Sequence, residues 1–444
     1  MTRPTLCILL FVLTCSLASA QAPANPANPQ STPQAPPPAT PLNLAQAEAI
    51  ALKNNPQITV GRLRALVAQQ YVRESRSALL PNAYLSVTAV DANPGSRLAA
   101  GFLNNPILFP RAAGGASANQ LVTDFGRTTN LLSSSEFSAK AEDQNAAATR
   151  ADTLLAVDQA FYNSLDTQAL VRVAEETVQA RQTLVDRVQA LAQAKLKSDL
   201  DLSSANVELA RAKLLLLEAR NNFQAALAGL SAVLGYPSEQ DFQLVEETTP
   251  LTPPSPDVQP LIQQAMQQRP EIQALQFQLE SAQKFSSAEH DLWRPTVNAL
   301  GVVGEAPVRD NHIPNWYGAV GVNVNIPVFN GFLYNARAKA ADLETEVHRQ
   351  RLRDLQDTIS RDVRVSWQDT NRAYERLSVT QQLREQANLA LDLAQARYNL
   401  GLGSIVEFTQ AELQKTEADI ADTDANYQYR LTQIALGFAI AAPK

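Results

Sequence analysis

Arg269-Pro270-Glu271-Ile272 and Arg294-Pro295-Thr296-Val297, in the second half of the chain, repeat the pattern of Asn55-Pro56-Gln57-Ile58 and Leu80-Pro81-Asn82-Ala83 in the first half. Both prolines recur with the same offset of 214 residues, which two unrelated turns would match only by chance. A unit of about 200 residues is much longer than the ~20–50 residues of a solenoid repeat. The chain therefore contains a duplicated unit of domain size.

The duplication continues along the chain with a shorter offset. Leu196-Lys197-Ser198-Asp199-Leu200-Asp201 corresponds to Leu402-Gly403-Ser404-Ile405-Val406-Glu407. Val122-Thr123-Asp124-Phe125-Gly126 corresponds to Ile326-Pro327-Val328-Phe329-Asn330-Gly331, again with an offset near 206. The loops between corresponding elements therefore differ in length, while the order of the elements is the same.

Length and composition limit the class of protein. A chain of 444 residues fits two or three domains of about 150 residues each, in agreement with a tandem duplication. The formal net charge is −7, and only 18% of the residues are charged. Because the basic residues form no stripe, we expect no nucleic-acid partner.

The first residues are typical of a secretion signal. Arg3 precedes an apolar segment from Leu6 to Leu17, and Ala18-Ser19-Ala20 is a small-residue cleavage motif. We therefore expect residues 1–20 to be a signal peptide. Both cysteines, Cys7 and Cys15, lie in this segment, so disulfides are not expected to stabilise the mature chain.

Two segments rich in proline divide the remaining chain. Residues 21–41 contain no large apolar side chain, which predicts a disordered segment rich in Pro and Ala. A second proline cluster extends from Pro250 to Pro260. We therefore expect a first repeat over residues 42–245, a linker over residues 246–260 and a second repeat over residues 261–444.

Within the first repeat, the spacing of apolar residues changes from helical to alternating. A helical pattern from Leu44 to Leu79 precedes a strand-like stretch from Tyr84 to Val90. A loop rich in Pro, Gly and Asn is expected over residues 93–115. A second strand then leads into Asp124.

The strands of the second repeat have a clearer pattern. The first is expected from Thr296 to Gly304, and residues 305–315 connect it to the second. There Val320, Val322, Val324 and Ile326 alternate with small or polar residues. This alternation predicts a sheet with one apolar face and one face in contact with water.

A very long helical pattern follows each pair of strands, from Arg127 to Lys197 and from Phe332 to Leu400. Nearly seventy residues at 1.5 Å each predict rods of roughly 100 Å. Each rod is expected to return through a shorter helix, Asp199 to Leu234 or Ser404 to Ala441. The apolar positions are mostly Ala and Leu, which favours close packing as a coiled coil.

The pattern predicts a mainly α protein with a membrane β-barrel contribution, built from two tandem repeats of helix, strand, strand and long helical hairpin. Four strands are too few to close a membrane barrel, which needs about 8, and open sheet edges are costly in lipid. A trimer would supply a 12-stranded β-barrel and a 12-helix α-barrel. The alternative is an exported periplasmic coiled-coil structural or interaction protein without a pore.

Ala396-Arg397-Tyr398-Asn399-Leu400-Gly401-Leu402-Gly403-Ser404, with the signal peptide and the tandem repeats, resembles the TolC outer-membrane efflux protein family. The resemblance extends from Leu42 to Gly437. It implies the outer-membrane channel of a tripartite efflux or type I secretion system, which exports small molecules or polypeptide across the periplasm and outer membrane. The implied partners are a second and third copy of the chain, a periplasmic membrane-fusion adaptor, an inner-membrane pump of resistance-nodulation-division or ABC type, and outer-membrane lipid.

The resemblance also implies that the hairpin turns contact the adaptor. The turn residues are Arg397, Tyr398, Gly401, Leu402, Gly403 and Ser404 in the second repeat, with Lys197 and Ser198 in the first. Glycines allow a tight reversal of the backbone, and Ser404 can cap the returning helix. The alternative is that these residues act only in the turn.

Glu407 takes the position of the first of two acidic residues that ring the pore constriction in the archetypal member of that family. Gln410 takes the second acidic position and Gly403 that of a basic tether, so one ring charge and the tether are absent. In the first repeat, Lys195 stands where Gly401 stands in the second. That turn therefore departs from the glycine-rich pattern.

Trp316 and Tyr317, at the start of a strand, are typical of aromatic residues at a membrane interface, although a packing role is equally compatible with the pattern. An enzyme is disfavoured, and no cofactor or metal is expected. The three histidines are widely spaced, and the sequence contains no Gly-rich phosphate loop and no Gly-x-Ser-x-Gly motif.

Overall fold

The computed structural model describes residues 40–91, 93, 111–246, 250–307, 312 and 314–442, and the statements below concern these residues. The predicted signal peptide, residues 21–39 and most of the loop expected over residues 93–115 lie outside them.

The first repeat consists of four helices and four strands. In chain order they are β1 (Thr40–Leu42), α1 (Leu44–Asn54), α2 (Pro56–Ser77), β2 (Asn82–Val90), β3 (Arg111–Thr123), α3 (Arg127–Gln193), α4 (Asp199–Val233) and β4 (Phe242–Leu244). Asn55 accepts a hydrogen bond from the backbone N–H of Gln57, and Pro56 is the first residue of α2. Because proline has no N–H group to continue a helix, the helical segment predicted from Leu44 to Leu79 is two helices.

The second repeat has the same helices and its own pair of long strands. In chain order they are α5 (Gln259–Gln268), α6 (Pro270–His290), a 3-10 turn (Asp291–Trp293), β5 (Thr296–Glu305), β6 (Trp316–Asn325), α7 (Leu333–Asn399) and α8 (Ile405–Ala439). Helices α3 and α7 both contain 67 residues, and α4 and α8 both contain 35. The prediction of a mainly helical chain with two long hairpins is confirmed.

Four strands form one antiparallel sheet in the order β2-β3-β5-β6, so the outer edges of β2 and β6 are unpaired among the described residues. The register aligns Ser86, Gly115, Gly304 and Tyr317 in one row. Because side chains alternate between faces, the register assigns the sheet an apolar face and a polar face. The apolar face contains Leu85, Val87, Val303, Trp316, Val320, Val322 and Val324, with Glu305 at its end, and the polar face contains Tyr84, Ser86, Thr88, Asn298, Tyr317, Asn323 and Asn325, together with Leu300 and Val302.

Several boundaries differ from the prediction, and α3, for example, ends at Gln193 and not at Lys197. Strand β3 begins at Arg111, so residues 111–115 are not part of a loop. They are mostly Ala and Gly, which are poor strand formers alone, and their pairing with β2 determines their structure. Thr40 and Pro41, predicted to be disordered, form β1 by parallel pairing with β4. Gln259 and Pro260, predicted to lie in the linker, begin α5.

Three buried clusters hold the hairpins, and one of them joins α5 and α6 to α7 and α8 around Ile359. The first surrounds Phe161 in the middle of α3 and includes Leu42 of β1, Leu230 of α4, Leu244 of β4 and Tyr427 of α8. The second lies at the far end of the hairpins and joins α3 and α4 to α7 and α8. Within the described ranges, none of the helices combines the length and the apolar character needed to cross a membrane.

Candidate functional site

The turn between α7 and α8, residues 400–404, is called the second tip. Gly401 has a φ of 71°, in the left-handed region that glycine adopts without a steric cost. The N–H of Leu402 donates to the carbonyl of Arg397 at 2.9 Å, and the N–H of Gly401 donates to that of Tyr398 at 3.1 Å. These bonds end α7 by the pairing typical of a left-handed C-terminal cap. The sequence-predicted turn residues are thus brought together.

Gly403 serves the same turn for a different reason. Its backbone is not left-handed, but a Cβ atom there would lie 3.2 Å from Oε2 of Glu407 and 3.3 Å from Cβ of Arg397. The expectation that both glycines are needed to reverse the backbone is therefore correct only for Gly401. Gly403 instead leaves room for the two charged side chains that flank it.

The turn between α3 and α4, residues 194–198, is called the first tip, and it has the same backbone conformation. Lys195 has a φ of 59°, and the N–H of Leu196 donates to the carbonyl of Leu191 at 2.9 Å. A side chain in the left-handed region costs about 1–2 kcal/mol. The first tip therefore retains the turn of the second although its glycine is replaced by lysine.

Serine caps the returning helix at both tips. Ser198 accepts from the N–H of Asp201, and Ser404 accepts from the N–H of Glu407, both at 3.1 Å. At the first tip Asp201 completes the reciprocal cap by accepting from the N–H of Ser198 at 3.2 Å. At the second tip the equivalent acidic residue, Glu407, has a different partner.

Glu407 forms an ion pair with Arg397 across the second tip. The distance from its Oε1 to Nε of Arg397 is 3.0 Å, and both side chains are about half exposed. Gln410 is exposed one helical turn later, on the same side of α8. The Glu407 carboxylate is therefore partly neutralised within its own chain.

Lys197 and Tyr398 join the two tips. The ammonium of Lys197 lies 3.9 Å from the ring centroid of Tyr398, a cation–π contact. The ring of Tyr398 stacks on Phe408 with centroids 5.5 Å apart and an angle of 9°. Burial, and secondly the charge of Asp201, raises the pKa of the Tyr398 phenol. Tyr398 is thus a neutral packing residue at the junction of the two hairpins.

A buried ion pair lies deeper between the hairpins. Arg181 of α3 pairs with Glu412 of α8, and only 4% and 11% of their side chains are exposed. Burial raises the pKa of the Glu412 carboxyl, while the charge of Arg181 lowers it. No local sequence pattern indicates this pair, because its members are 231 residues apart and each resembles an ordinary charged residue on a helix.

In the four-stranded sheet, Trp316 and Tyr317 point to different faces. Trp316 lies on the apolar face and is 68% exposed. Tyr317 lies on the polar face, where its hydroxyl would be 2.6 Å from a Cβ atom added to either Gly115 or Gly304. The two glycines leave the space that the ring occupies. The structure therefore does not bring the two aromatic residues together on one surface.

A family model described as outer membrane efflux protein matches residues 49–236 and 261–442, the two repeats described above. The chain belongs to the outer membrane efflux protein family. It is 24% identical to the outer membrane protein TolC of Vibrio cholerae over 416 residues, which are 90% of each chain.

Solved structures share the fold. A membrane protein from Pseudomonas aeruginosa aligns with a TM-score of 0.77 and 18% identity over 89% of this chain and 93% of its own. The Campylobacter jejuni CmeC outer membrane channel aligns with a TM-score of 0.76 and 17% identity over 89% of this chain and 85% of its own. The predicted family, outer-membrane location and role as an efflux channel are confirmed.

The tips of this outer membrane efflux protein carry exposed apolar residues, of which only Leu402 was predicted to be a contact residue. Leu196 and Leu200 of the first tip region are 71% and 74% exposed, and their equivalents Leu402 and Val406 are 69% and 68% exposed. Leu400 is exposed as well. A signal was present in the sequence, because the apolar pair recurs with the offset of 206 at a turn where polar residues are usual.

Proposed function

We propose that three copies of this chain form a continuous channel through the outer membrane and across the periplasm. The observation that carries the proposal is the sheet, which in the described part of the chain has two unpaired edges, β2 and β6, and one apolar face. Unpaired backbone groups are costly in lipid, so an isolated sheet is not a stable membrane structure. Pairing of β6 with β2 of the next copy removes both edges and gives a closed 12-stranded barrel. The four hairpin helices of each chain contribute to a 12-helix α-barrel.

The two faces of the sheet support an assignment of lipid and lumen sides. Val320, Val322 and Val324 on the apolar face are 92%, 68% and 52% exposed, as expected for side chains that contact hydrocarbon. Asn298, Asn323 and Asn325 on the polar face suit a lumen filled with water. Trp316, at the end of the sheet far from the helices, is proposed to lie at the outer interface of the membrane. Tyr317 belongs to the lumen side in this arrangement.

The tips are proposed to contact a periplasmic membrane-fusion adaptor, which connects the channel to an inner-membrane pump. Exposed Leu196, Leu400 and Leu402 support this role, because exposed apolar groups around a polar turn are typical of a protein interface. Arg397, Lys197, Ser198 and Ser404 surround these leucines and supply a polar rim. The proposed pump is of the resistance-nodulation-division or ABC type.

Glu407 and Gln410 are proposed to line the constriction of the pore. Three copies of Glu407 near one axis would produce a negative potential that favours cations. The ion pair between Glu407 and Arg397 within each chain reduces this effect, since it places a positive charge beside each carboxylate. We therefore propose a constriction with a weak net charge. It lacks the basic tether, because Gly403 occupies that position.

Cell fractionation and a transport assay test the proposal. The mature protein is expected in the outer membrane, as trimers in mild detergent, and reconstituted trimers are expected to conduct ions in planar bilayers. A strain that lacks the protein is expected to accumulate a dye that the wild type expels. Recovery as a soluble periplasmic monomer would overturn the channel and favour a coiled-coil interaction protein without a pore.

A further inference from the structure

A cavity of about 350 Å³ lies where α3 of the first repeat meets α6 and α8 of the second. Leu154 and Leu155 of α3 form one apolar wall, and Ile434 and Phe438 of α8 form another. Sites for small molecules have volumes of about 300–1,000 Å³ and mostly apolar linings. All the lining residues belong to one chain, so the cavity exists without the proposed trimer.

Gly437 of α8 keeps the second wall open. Nothing lies within 4 Å of a Cβ atom added there, although glycine inside a helix is less stable than alanine by roughly 0.5–1 kcal/mol. Its equivalent in α4, at the offset of 206 between the two helices, is Ser231. Ser231 is 2% exposed and accepts a hydrogen bond from the N–H of Gln240 at 3.1 Å. The segment after α4 therefore covers in the first repeat a position that opens onto the cavity in the second.

Three of the charged groups that line the cavity are engaged within the protein. Arg269 forms hydrogen bonds of 3.0 and 3.3 Å with the carboxylate of Glu271, and its guanidinium lies 5.1 Å from the ring centroid of Phe438. The charges of Arg269 and Glu271 therefore cancel. Asp158, 1% exposed on α3, also has an interaction partner in the protein.

Arg150 is the fourth charged group of the lining, and it is exposed at the edge of the cavity. Among the described residues, its guanidinium takes part in no ion pair or hydrogen bond. No acidic residue stands three or four positions from it on α3, where a helical ion pair would form. Asp158 lies two turns further along α3, about 12 Å away along the helix axis. The cavity thus has one uncompensated positive charge at its edge.

Helix α6 begins at the same cavity, since Pro270 and Glu271 both line it. No side chain caps this helix, whereas Asn55 caps the equivalent helix α2. The first N–H groups of a helix carry a partial positive charge. The helix end therefore adds to the preference for a negative group that Arg150 establishes.

We propose that this cavity binds a small amphipathic anion. Its acidic group lies beside Arg150, and its apolar body fills the space between Leu154 and Phe438. A carboxylate suits Arg150, because the planar guanidinium donates two parallel hydrogen bonds to it. The apolar walls favour the body, because its transfer from water into the cavity is favourable. The site is separate from the tips and from the residues proposed to line the constriction.

The preference for an anion is tested with 2-naphthoate, which combines two apolar rings with one carboxylate. Calorimetric titration of the purified protein in phosphatidylcholine nanodiscs is expected to saturate at one probe per chain, after subtraction of the signal from empty nanodiscs. 2-Naphthylmethylamine has the same rings and a positive charge, and we expect it to bind at least about tenfold more weakly. Equal or tighter binding of the amine, or the absence of saturable binding, would overturn the proposal.

A variant that fills the cavity tests the location of the site. Gly437→Leu places a side chain in the open space and is expected to weaken the binding of 2-naphthoate at least about tenfold. The matched control is Gly229→Leu, an exposed position inside α4 where nothing lies within 4 Å of an added Cβ atom either. Wild-type affinity in the Gly437 variant would show that the probe binds elsewhere on the protein.

Arg150→Gln tests the charge without filling the cavity, and its exposure makes a folding defect unlikely to interfere because no packing is removed. We expect about tenfold weaker binding of 2-naphthoate, the effect of losing one charge-assisted contact. Binding of the neutral 2-naphthamide should be unchanged. Arg353→Gln, an exposed arginine of α7 outside the cavity, is the control. Wild-type affinity for 2-naphthoate in the Arg150 variant would overturn the assignment of the acidic group to this arginine.

Discussion

Lys195 adopts the left-handed backbone conformation of Gly401, its equivalent in the other hairpin, with φ values of 59° and 71°. Both turns also end their first helix by the same backbone hydrogen bonds and begin the second with a capping serine. The two long helices therefore determine the backbone conformation of the turn that connects them. The central residue adopts this conformation whether it is glycine or lysine. At the first tip, Lys195 therefore has a Cβ atom in the left-handed backbone conformation, which is sterically unfavourable.

The first prediction follows from this difference. Replacing Lys195 by glycine removes the unfavourable Cβ atom and is expected to stabilise the first tip by about 1 kcal/mol. Hydrogen exchange of the amides of residues 194–198 should become slower. Since Lys195 is exposed, loss of its charge has little effect of its own, and Lys195→Ala provides the control. Faster exchange in the glycine variant than in the alanine variant would contradict the argument.

The opposite change at the second tip is expected to impair function. Gly401→Val introduces a β-branched residue at a φ of 71°, which valine strongly disfavours. We expect normal trimers in the outer membrane, with efflux and cross-linking to the adaptor reduced at least tenfold. Gly229→Val, in the interior of α4 where nothing lies within 4 Å of an added Cβ atom, controls for the added bulk. Normal efflux in the Gly401 variant would show that the turn has no role in contact with the adaptor.

A third prediction concerns the charge of the constriction. Because Arg397 and Glu407 form an ion pair, Glu407→Gln leaves three unbalanced guanidinium groups and is expected to shift ion selectivity towards anions. Arg397→Gln instead leaves three unbalanced carboxylates and is expected to raise the preference for cations severalfold in planar bilayers. Exposed ion pairs contribute at most about 1 kcal/mol, so trimer yield should be unchanged. Unchanged selectivity in the Arg397 variant would mean that the pair does not persist in the assembled channel.

The long helices and the strands of the four-stranded sheet were predictable from the sequence, because they depend on local signals, whereas the division of the first helical segment at Pro56 and the pairing of β1 with β4 were not predicted. The prolines at positions 56 and 270 mark the starts of α2 and α6, and the valines of β6 show the alternation of an amphipathic strand. The lengths of α3 and α7 followed from the absence of glycine and proline. Strand β3 was partly missed because its first residues are small and depend on pairing with β2.

The candidate site was less predictable, because its contacts cross from one hairpin to the other. The turn residues were found from the glycine-rich motif, but Arg397 as the partner of Glu407 was not assigned. The contact of Lys197 with Tyr398 joins residues about 200 positions apart, and no local pattern indicates it. The opposite orientations of Trp316 and Tyr317, by contrast, follow from the alternation of any strand.

The buried pair of Arg181 and Glu412 yields a fourth prediction. Glu412→Gln leaves the Arg181 guanidinium buried without a counter-charge, a change that typically costs about 3–5 kcal/mol. We expect a lower melting temperature and faster hydrogen exchange at both tips. Glu175→Gln, which removes the exposed partner of Arg220, is the matched control and should cost at most about 1 kcal/mol.

The double variant R181M with E412L distinguishes the effect of the buried charges from the effect of the packing around them. Apolar residues of similar size remove both buried charges together, and we expect them to restore most of the lost stability. If the double variant is as unstable as Glu412→Gln, the packing around the pair, and not its charge, holds the hairpins together.

The last prediction concerns the pH dependence of stability at Asp166 in α3. Burial, and secondly the charge of Asp424, raises the pKa of the Asp166 carboxyl from 3.8 to about 6. The folded chain therefore binds this proton more tightly than the unfolded chain does. By linkage, the contribution of Asp166 to the free energy of unfolding is most favourable below pH 3.8. It declines as the pH rises towards about 6 and is constant above that value.

Asp166→Asn removes the ionisation and is expected to raise the stability of the protein at pH 7.5 by the order of 1–3 kcal/mol. The advantage over the wild type should shrink as the pH falls from about 6 and disappear near pH 4, because the wild-type carboxyl is then neutral as well. Thermal unfolding in detergent at several pH values measures the difference. Asp143→Asn, on an exposed part of the same helix, should show no such trend. A destabilised Asp166 variant at pH 7.5 would show that the carboxylate has a stabilising partner in the assembled protein.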